Sequence, residues 1–92
     1  MKTEIEAKTY QNYYEATDFN ASAYEVVLER LGYDVGNLTV NGDLNFRESK
    51  IRRLVGVKEV TGYLDLEDTP ISKKYSEEEI RQMVNVEGNI FM

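Results

Sequence analysis

The residues of this 92-residue chain that could do chemistry are carboxylates, because the sequence contains no His and no Cys. The commonest general base, the commonest metal ligand and the thiolate nucleophile are therefore missing. Asp65, Glu67 and Asp68 form one candidate group, on and just after a predicted strand. Such a group could bind Ca²⁺ or Mg²⁺ or supply a glycosidase carboxyl pair, but the sequence lacks a calcium-loop motif. We expect no enzyme activity, no cofactor and no metal site.

A second acidic group, Glu77–Glu79, follows Ser76 at the start of a predicted helix. Acids in the first turn of a helix are favoured by the helix dipole and by capping, so local helix chemistry explains part of this run. Glu25 and Glu29 differ, because like charges four residues apart on a helix repel each other. Their presence favours a role in contacting a partner.

Charge is segregated along the chain, which has 11 basic and 17 acidic residues and a net charge of −6. Acids outnumber bases in residues 1–36 and 59–92, whereas bases predominate in the basic segment, residues 47–58. A negative protein is disfavoured as a binder of nucleic-acid phosphates or anionic membranes, so we expect a basic or neutral protein partner. The basic segment could balance acids across a dimer.

Tyrosines are concentrated near the N-terminus of the sequence. Ala7, Tyr10 and Tyr14 recur at helical spacing within the first 18 residues, which permits a helix with an aromatic stripe. Together with Tyr13 and Tyr24 they indicate an aromatic cluster that forms either core or dimer interface.

Two further helices are indicated by their end signals. A helix over residues 22–31 would begin with the capping box Ser22–Glu25 and end at Gly32, which tolerates a positive φ. A short helix within residues 75–84 would begin with the capping box Ser76–Glu79.

An internal repeat follows the N-terminal helices. The segment Val40–Phe46 aligns with Val60–Leu66 at an offset of 20, and a third copy, Val86–Met92, lies 26 residues after the second. The shared template is Val-x-Gly-x-Leu/Ile-x-apolar, and its alternating apolar residues indicate strands. A repeat of about 20 residues is typical of stacked coils.

A hairpin is the alternative interpretation of the same segment, because Asn41-Gly42 between two apolar runs is a type I′ turn signal. Both alternatives predict one acidic α+β domain over residues 1–92. In it, N-terminal helices precede a small sheet of short Gly-punctuated strands, with one short helix before the last strand. The sequence contains no signal-peptide-like apolar stretch, so we expect an intracellular protein.

The size, the acidity, the lack of His and Cys, and the order of helices before strands resemble the Arn family of anti-restriction proteins from T-even phages. The resemblance implies a homodimer in the host cytoplasm that presents carboxylates in place of DNA phosphates. It implies a restriction endonuclease of the McrBC type as the partner, blocked at its DNA-binding site, with no direct binding of nucleic acid. The basic segment departs from a uniformly acidic DNA mimic.

On this interpretation the partner-binding carboxylates form two blocks. The predicted residues are Glu25, Glu29, Asp34, Asp65, Glu67, Asp68, Glu77, Glu78 and Glu79. The alternative function is an acidic interaction protein that regulates another host or phage protein without imitating DNA.

Overall fold

The computed structural model describes residues 1–92 as two N-terminal helices packed on a stack of short parallel strands. The elements, in chain order, are β1 (Glu4–Glu6), α1 (Ala7–Ala16), α2 (Ala21–Arg30), β2 (Leu38–Asn41), β3 (Leu44–Asn45), β4 (Val57–Val60), β5 (Leu64–Asp65), α3 (Pro70–Lys74), α4 (Glu77–Met83), β6 (Asn85–Val86) and β7 (Ile90–Phe91). The predicted α+β class is confirmed. No helix has the length and apolar character needed to cross a bilayer.

The strands form two parallel sheets, ordered β1-β2-β4-β6 and β3-β5-β7. Val40 pairs with Val60 and Val60 with Val86, so strand pairing follows the repeat intervals of 20 and 26 residues. The stacked-coil alternative is therefore right and the hairpin alternative is wrong. Asn41 instead ends β2, and Gly42-Asp43 connects that strand to β3 in the other sheet.

Stacking buries identical or similar apolar residues in ladders along the inside of the coils. Ile5, Val40, Val60 and Val86 form one ladder in the four-stranded sheet. A second ladder in the other sheet contains Leu44, Leu64 and Ile90. Period-2 alternation at the template positions places these side chains inward and their neighbours outward. β4 departs from it at its start, where the register with β2 shifts and Lys58 and Glu59 both lie between the buried Val57 and Val60.

The helices α1 and α2 cover one end of the stack with the tyrosine cluster. Tyr10, Tyr14 and Tyr24 are fully buried, and the rings of Tyr14 and Tyr24 stack with their centroids 4.3 Å apart. The hydroxyl of Tyr10 donates to the carbonyl oxygen of Val55 at 2.8 Å, and that of Tyr14 donates to Arg53 O at 2.9 Å. These three tyrosines are therefore core residues: Tyr10 and Tyr14 tie α1 to the segment that precedes β4, and the hydroxyl of Tyr24 ties α2 to α1 by donating to Tyr10 O at 2.7 Å.

Helix ends are partly as predicted. α2 begins one residue earlier than expected, because Asn20 is its N-cap and accepts a hydrogen bond from Ala23 N; the capping role assigned to Ser22 is wrong. The prediction that Gly32 follows the end of this helix is confirmed, since Gly32 adopts a φ of +87°. The capping box at Ser76–Glu79 is also confirmed.

The short helix α3 was not predicted from the sequence. Thr69 caps it by accepting from Ser72 N, while the Ser72 side chain accepts in return from Thr69 N. Pro70 occupies the first turn, where its missing N–H costs nothing. The reciprocal cap uses serine where the usual capping box has Glu or Gln, which is why the signal was not recognised.

Candidate functional site

The first predicted acidic block lies on α2 and in the loop after it. The Glu25 carboxylate is 3.7 Å from the Arg53 guanidinium, so an intramolecular cation already faces it. Glu29 is exposed and has no ion-pair partner. The Asp34 side chain accepts a hydrogen bond of 3.2 Å from the Asn37 amide, within its own turn.

The second block is divided between the end of β5 and α4. The Asp65 carboxylate accepts from Glu67 N at 3.0 Å and so stabilises the local turn. Asp68 is exposed and has a left-handed φ of +56°. The Glu67 side chain is half-buried. Across the chain, no group of three or more acidic side chains has a geometry that could hold a metal ion.

The acidic run of α4 is used mainly within the helix. Glu77 pairs with Arg81 at 3.2 Å, four residues along, and Glu79 accepts from Ser76 N at 3.0 Å in the capping box. Glu78 is exposed without such a contact. Of the nine predicted binding residues, the four with no partner for their carboxylates are Glu29, Glu67, Asp68 and Glu78.

The basic segment is tied to acids of its own chain. Arg47 lies 3.9 Å from the Glu48 carboxylate, and Lys50 lies 3.3 Å from that of Asp18. With Arg53 and Glu25, three of its five cations have intramolecular partners. Exposed pairs of this kind stabilise the fold by only about 0–1 kcal/mol each, but they reduce the positive field of the segment.

A set of carboxylates that sequence reasoning missed lies on the outward side of the four-stranded sheet. We call this surface the outer sheet face; its residues are Glu4, Glu6, Thr39, Asn41, Glu59, Thr61, Asn85 and Glu87. Each is adjacent in the sequence to a buried apolar residue, and Thr61 and Glu87 directly follow β4 and β6. Four of the eight residues are glutamates and none is basic.

Parallel pairing arranges these residues in two rows across the sheet. Glu4 and Glu59 are in one row, on strands two places apart. In the other row, Glu6 and Glu87 are separated by the positions of Asn41 and Thr61. Neighbouring strands lie about 4.8 Å apart and the chain rises about 3.3 Å per residue. The backbones of Glu4 and Glu6 are therefore about 7 Å apart, those of Glu4 and Glu59 about 10 Å, and those of Glu6 and Glu87 about 14 Å.

The outer sheet face holds two of its carboxylates by neutral donors. The Asn41 amide donates to Glu4 Oε1 at 3.0 Å, and the Asn85 amide donates to Glu59 Oε2 at 3.2 Å. None of the four glutamates has a Lys or Arg nitrogen within 4.0 Å. These amide contacts restrict the side chains without cancelling their charge, so the face carries four negative charges among four neutral residues, with Lys58 exposed next to Glu59 on β4.

One sequence signal could have revealed this surface. Each glutamate directly flanks an apolar ladder residue: Glu4 and Glu6 flank Ile5, Glu59 precedes Val60, and Glu87 follows Val86. The N-terminal segment was assigned to a helix as a whole, so β1 and its outward glutamates were not recognised.

Comparison of the chain with protein-family profiles, with curated proteins and with solved structures gives no significant match.

Proposed function

We propose that this protein is a non-catalytic DNA mimic whose outer sheet face occupies the DNA-binding site of another protein. The observation that supports the proposal is the set of four glutamates held on one rigid sheet without a cationic partner. Their spacings of about 7–14 Å correspond to two to four base steps along a duplex, in which each strand repeats its charge every 3.4 Å or so.

The physical basis is direct competition for cations. A DNA-binding surface positions Lys and Arg to neutralise phosphates, so carboxylates at comparable separations can take the same contacts. A preformed sheet has little conformational freedom to lose on binding, which favours affinity. No chemical step is required.

The resemblance to the Arn family makes a McrBC-type restriction endonuclease in the host cytoplasm the first target to test. The second candidate function is an acidic interaction protein that does not imitate DNA. It is favoured by the neutral half of the outer sheet face, where Thr39, Asn41, Thr61 and Asn85 interrupt the charge. Competition with duplex DNA separates the two functions.

Changing Glu4, Glu6, Glu59 and Glu87 together to glutamine should weaken binding to the endonuclease by at least about tenfold, because charge complementarity is lost while shape is kept. The measurement is the concentration of protein needed to displace labelled duplex DNA from the endonuclease, at low and at moderate salt. For the unchanged protein, binding should weaken as salt rises.

The matched control removes the same charge elsewhere. Glu29, Glu67, Asp68 and Glu78 are changed to their amides, which should weaken binding only slightly through the long-range field. If this control abolishes binding and the sheet variant does not, the residues predicted from sequence carry the contact. If duplex DNA never competes with the protein, DNA mimicry is wrong and the second function remains.

We further propose that the protein is a homodimer formed at the edge of β7, since a strand with a neighbour on one side only is available for pairing. The edge of β6 in the other sheet is partly covered, because Arg81 donates to Val86 O at 2.9 Å and to Gly88 O at 3.2 Å.

Sedimentation equilibrium should show a dimer at tens of micromolar protein. Phe91→Asp should yield a monomer, and Leu31→Asp, at a site of similar exposure (39% against 40%), should not. A monomeric wild-type protein would contradict this assembly.

A further inference from the structure

An apolar groove lies between the end of the basic segment and the helices α3 and α4. It is lined by Arg52, Arg53, Leu54, Val57, Ile71, Tyr75, Ile80, Met83 and Val84. Its floor consists of well-buried core side chains, whereas Met83 is 52% exposed at its margin. An unbranched, polarisable methionine at such a margin adapts readily to different apolar partners.

The two charged residues of the groove are both arginines. Arg53 is paired with Glu25 at 3.7 Å, but Arg52 is exposed and has no carboxylate within 4.0 Å. A third cation lies close, since the Lys74 ammonium is 5.4 Å from the centre of the Tyr75 ring. The groove therefore combines an apolar floor with a positive rim, in a protein whose net charge is −6.

The size of the groove limits what can bind there. It encloses about 140 Å³. Pockets that bury a whole drug-sized ligand usually measure roughly 300–1,000 Å³. The groove is better matched to one or two side chains that project from a larger molecule.

We propose that this groove is a docking site for a short segment of a partner protein, in which one or two apolar side chains are flanked by Asp or Glu. The apolar side chains fill the space beside Met83 and Ile80, and a flanking carboxylate pairs with Arg52. Burial of the anchor supplies most of the affinity, and the rim charge selects acidic over basic segments. The site is separate from the outer sheet face and does not depend on the function proposed for that face.

A second copy of this chain is the less suitable occupant. No residue of β7, the edge at which the homodimer is proposed, lines the groove, and a space of about 140 Å³ admits one or two side chains rather than the face of a second folded copy. A basic segment would be repelled by Arg52 and Lys74 at the groove itself. Charge complementarity therefore selects a short acidic and apolar segment.

The test uses a displayed library of random dodecapeptides, panned against the full-length protein. We expect the enriched peptides to combine Leu, Ile, Met or Phe with adjacent Asp or Glu. The best peptide is then synthesised with a fluorescent label and titrated by polarisation. Met83→Asp and Arg52→Glu should each weaken its binding by about tenfold or more, as expected for loss of an interface anchor.

Matched controls change the same chemistry outside the groove. Leu31→Asp places a charge on the C-cap residue of α2, an apolar side chain that is 39% exposed, and Lys8→Glu reverses an exposed cation on α1. Both should bind the peptide as the wild type does, and circular dichroism should show all four variants folded.

The proposal is overturned if no peptide depends on Met83 and Arg52, or if the enriched peptides are basic. It is also overturned if sedimentation shows that copies of the chain associate through the groove and that Met83→Asp separates them. None of these outcomes bears on the glutamates of the outer sheet face.

Discussion

Replacing Gly62 with alanine should lower the free energy of unfolding by about 3 kcal/mol, the upper end of the usual range for overpacking. A Cβ atom at this position would lie 2.6 Å from Gly42 O and would collide with the Asp43 carboxylate. That carboxylate cannot move freely, because it accepts a hydrogen bond of 2.9 Å from Tyr63 N. Urea denaturation followed by circular dichroism measures the change.

The matched control is Gly36→Ala, at a position where a new Cβ would meet no atom within 4 Å. Gly36 has a φ of +102°, so alanine there suffers only the conformational penalty of a left-handed backbone, about 1–2 kcal/mol. Gly62 is not in the positive-φ region, so its substitution suffers only the steric penalty. Equal losses for the two variants would contradict the close approach of the coils as the reason for Gly62.

The repeat template requires glycine at this position because the backbones of stacked coils approach each other closely there. Gly62 N donates to Gly42 O at 3.0 Å, and Gly88 N donates to Gly62 O at 3.0 Å. A Cβ at Gly88 would lie 2.7 Å from Gly62 O. The aligned glycines thus mark the point where each coil passes from one sheet to the other in close contact with the coil before it. Sequence inspection found these glycines as a repeat but could not distinguish this contact from a turn requirement.

Strand pairing was predictable because the repeat interval determines which residues become neighbours. Val40, Val60 and Val86 align in the sequence and pair in the sheet. β1 was not predictable in the same way, since its three residues pair with β2 across more than thirty intervening positions. The alternation Glu4-Ile5-Glu6 fits a strand, but three residues are too few to distinguish it from the first turn of the following helix.

The candidate site was less predictable than the fold, because the binding role of an acid depends on its neighbours in space. Glu25 and Glu29 look alike in sequence, yet only Glu25 faces the guanidinium of Arg53, 28 positions away. The carboxylates of Glu4 and Glu59 belong to one surface only after parallel pairing brings β1, β2 and β4 together. Local patterns identify where acids occur, and tertiary contacts decide which of them keep their charge available to a partner.

Raising the pH above about 10 should destabilise the fold steeply, because the buried tyrosines resist ionisation. Burial raises the pKa of Tyr14 to about 12, an effect that the Arg53 guanidinium partly opposes. Burial also raises the pKa of Tyr10 and of Tyr24 well above the ordinary value, and the neighbouring tyrosines add to both shifts. In the unfolded chain all three would ionise near pH 10.

The sign follows from the difference in bound protons. Between about pH 10 and 12 the unfolded chain has released three tyrosine protons that the folded chain retains, so stability falls as pH rises. Each retained proton contributes about 1.4 kcal/mol per pH unit, which gives a loss of about 4 kcal/mol per unit. Above pH 12 Tyr14 also ionises in the folded chain, and the slope decreases to that of Tyr10 and Tyr24.

The measurement is the free energy of unfolding in urea at intervals from about pH 8 to pH 12. Because small domains are stable by only about 5–15 kcal/mol, a loss of this size is easily detected. Tyr14→Phe keeps the stacked ring but removes one titrating group and the hydrogen bond to Arg53 O. At neutral pH it should cost about 1 kcal/mol, yet its loss of stability per pH unit should be one third smaller than that of the wild type. A wild-type stability that stays constant over this range would show that the tyrosine hydroxyls are accessible to water in the folded state. Because the hydroxyls of Tyr10 and Tyr14 join α1 to the segment before β4, and that of Tyr24 joins α2 to α1, loss of their protons should detach the helices from the coils.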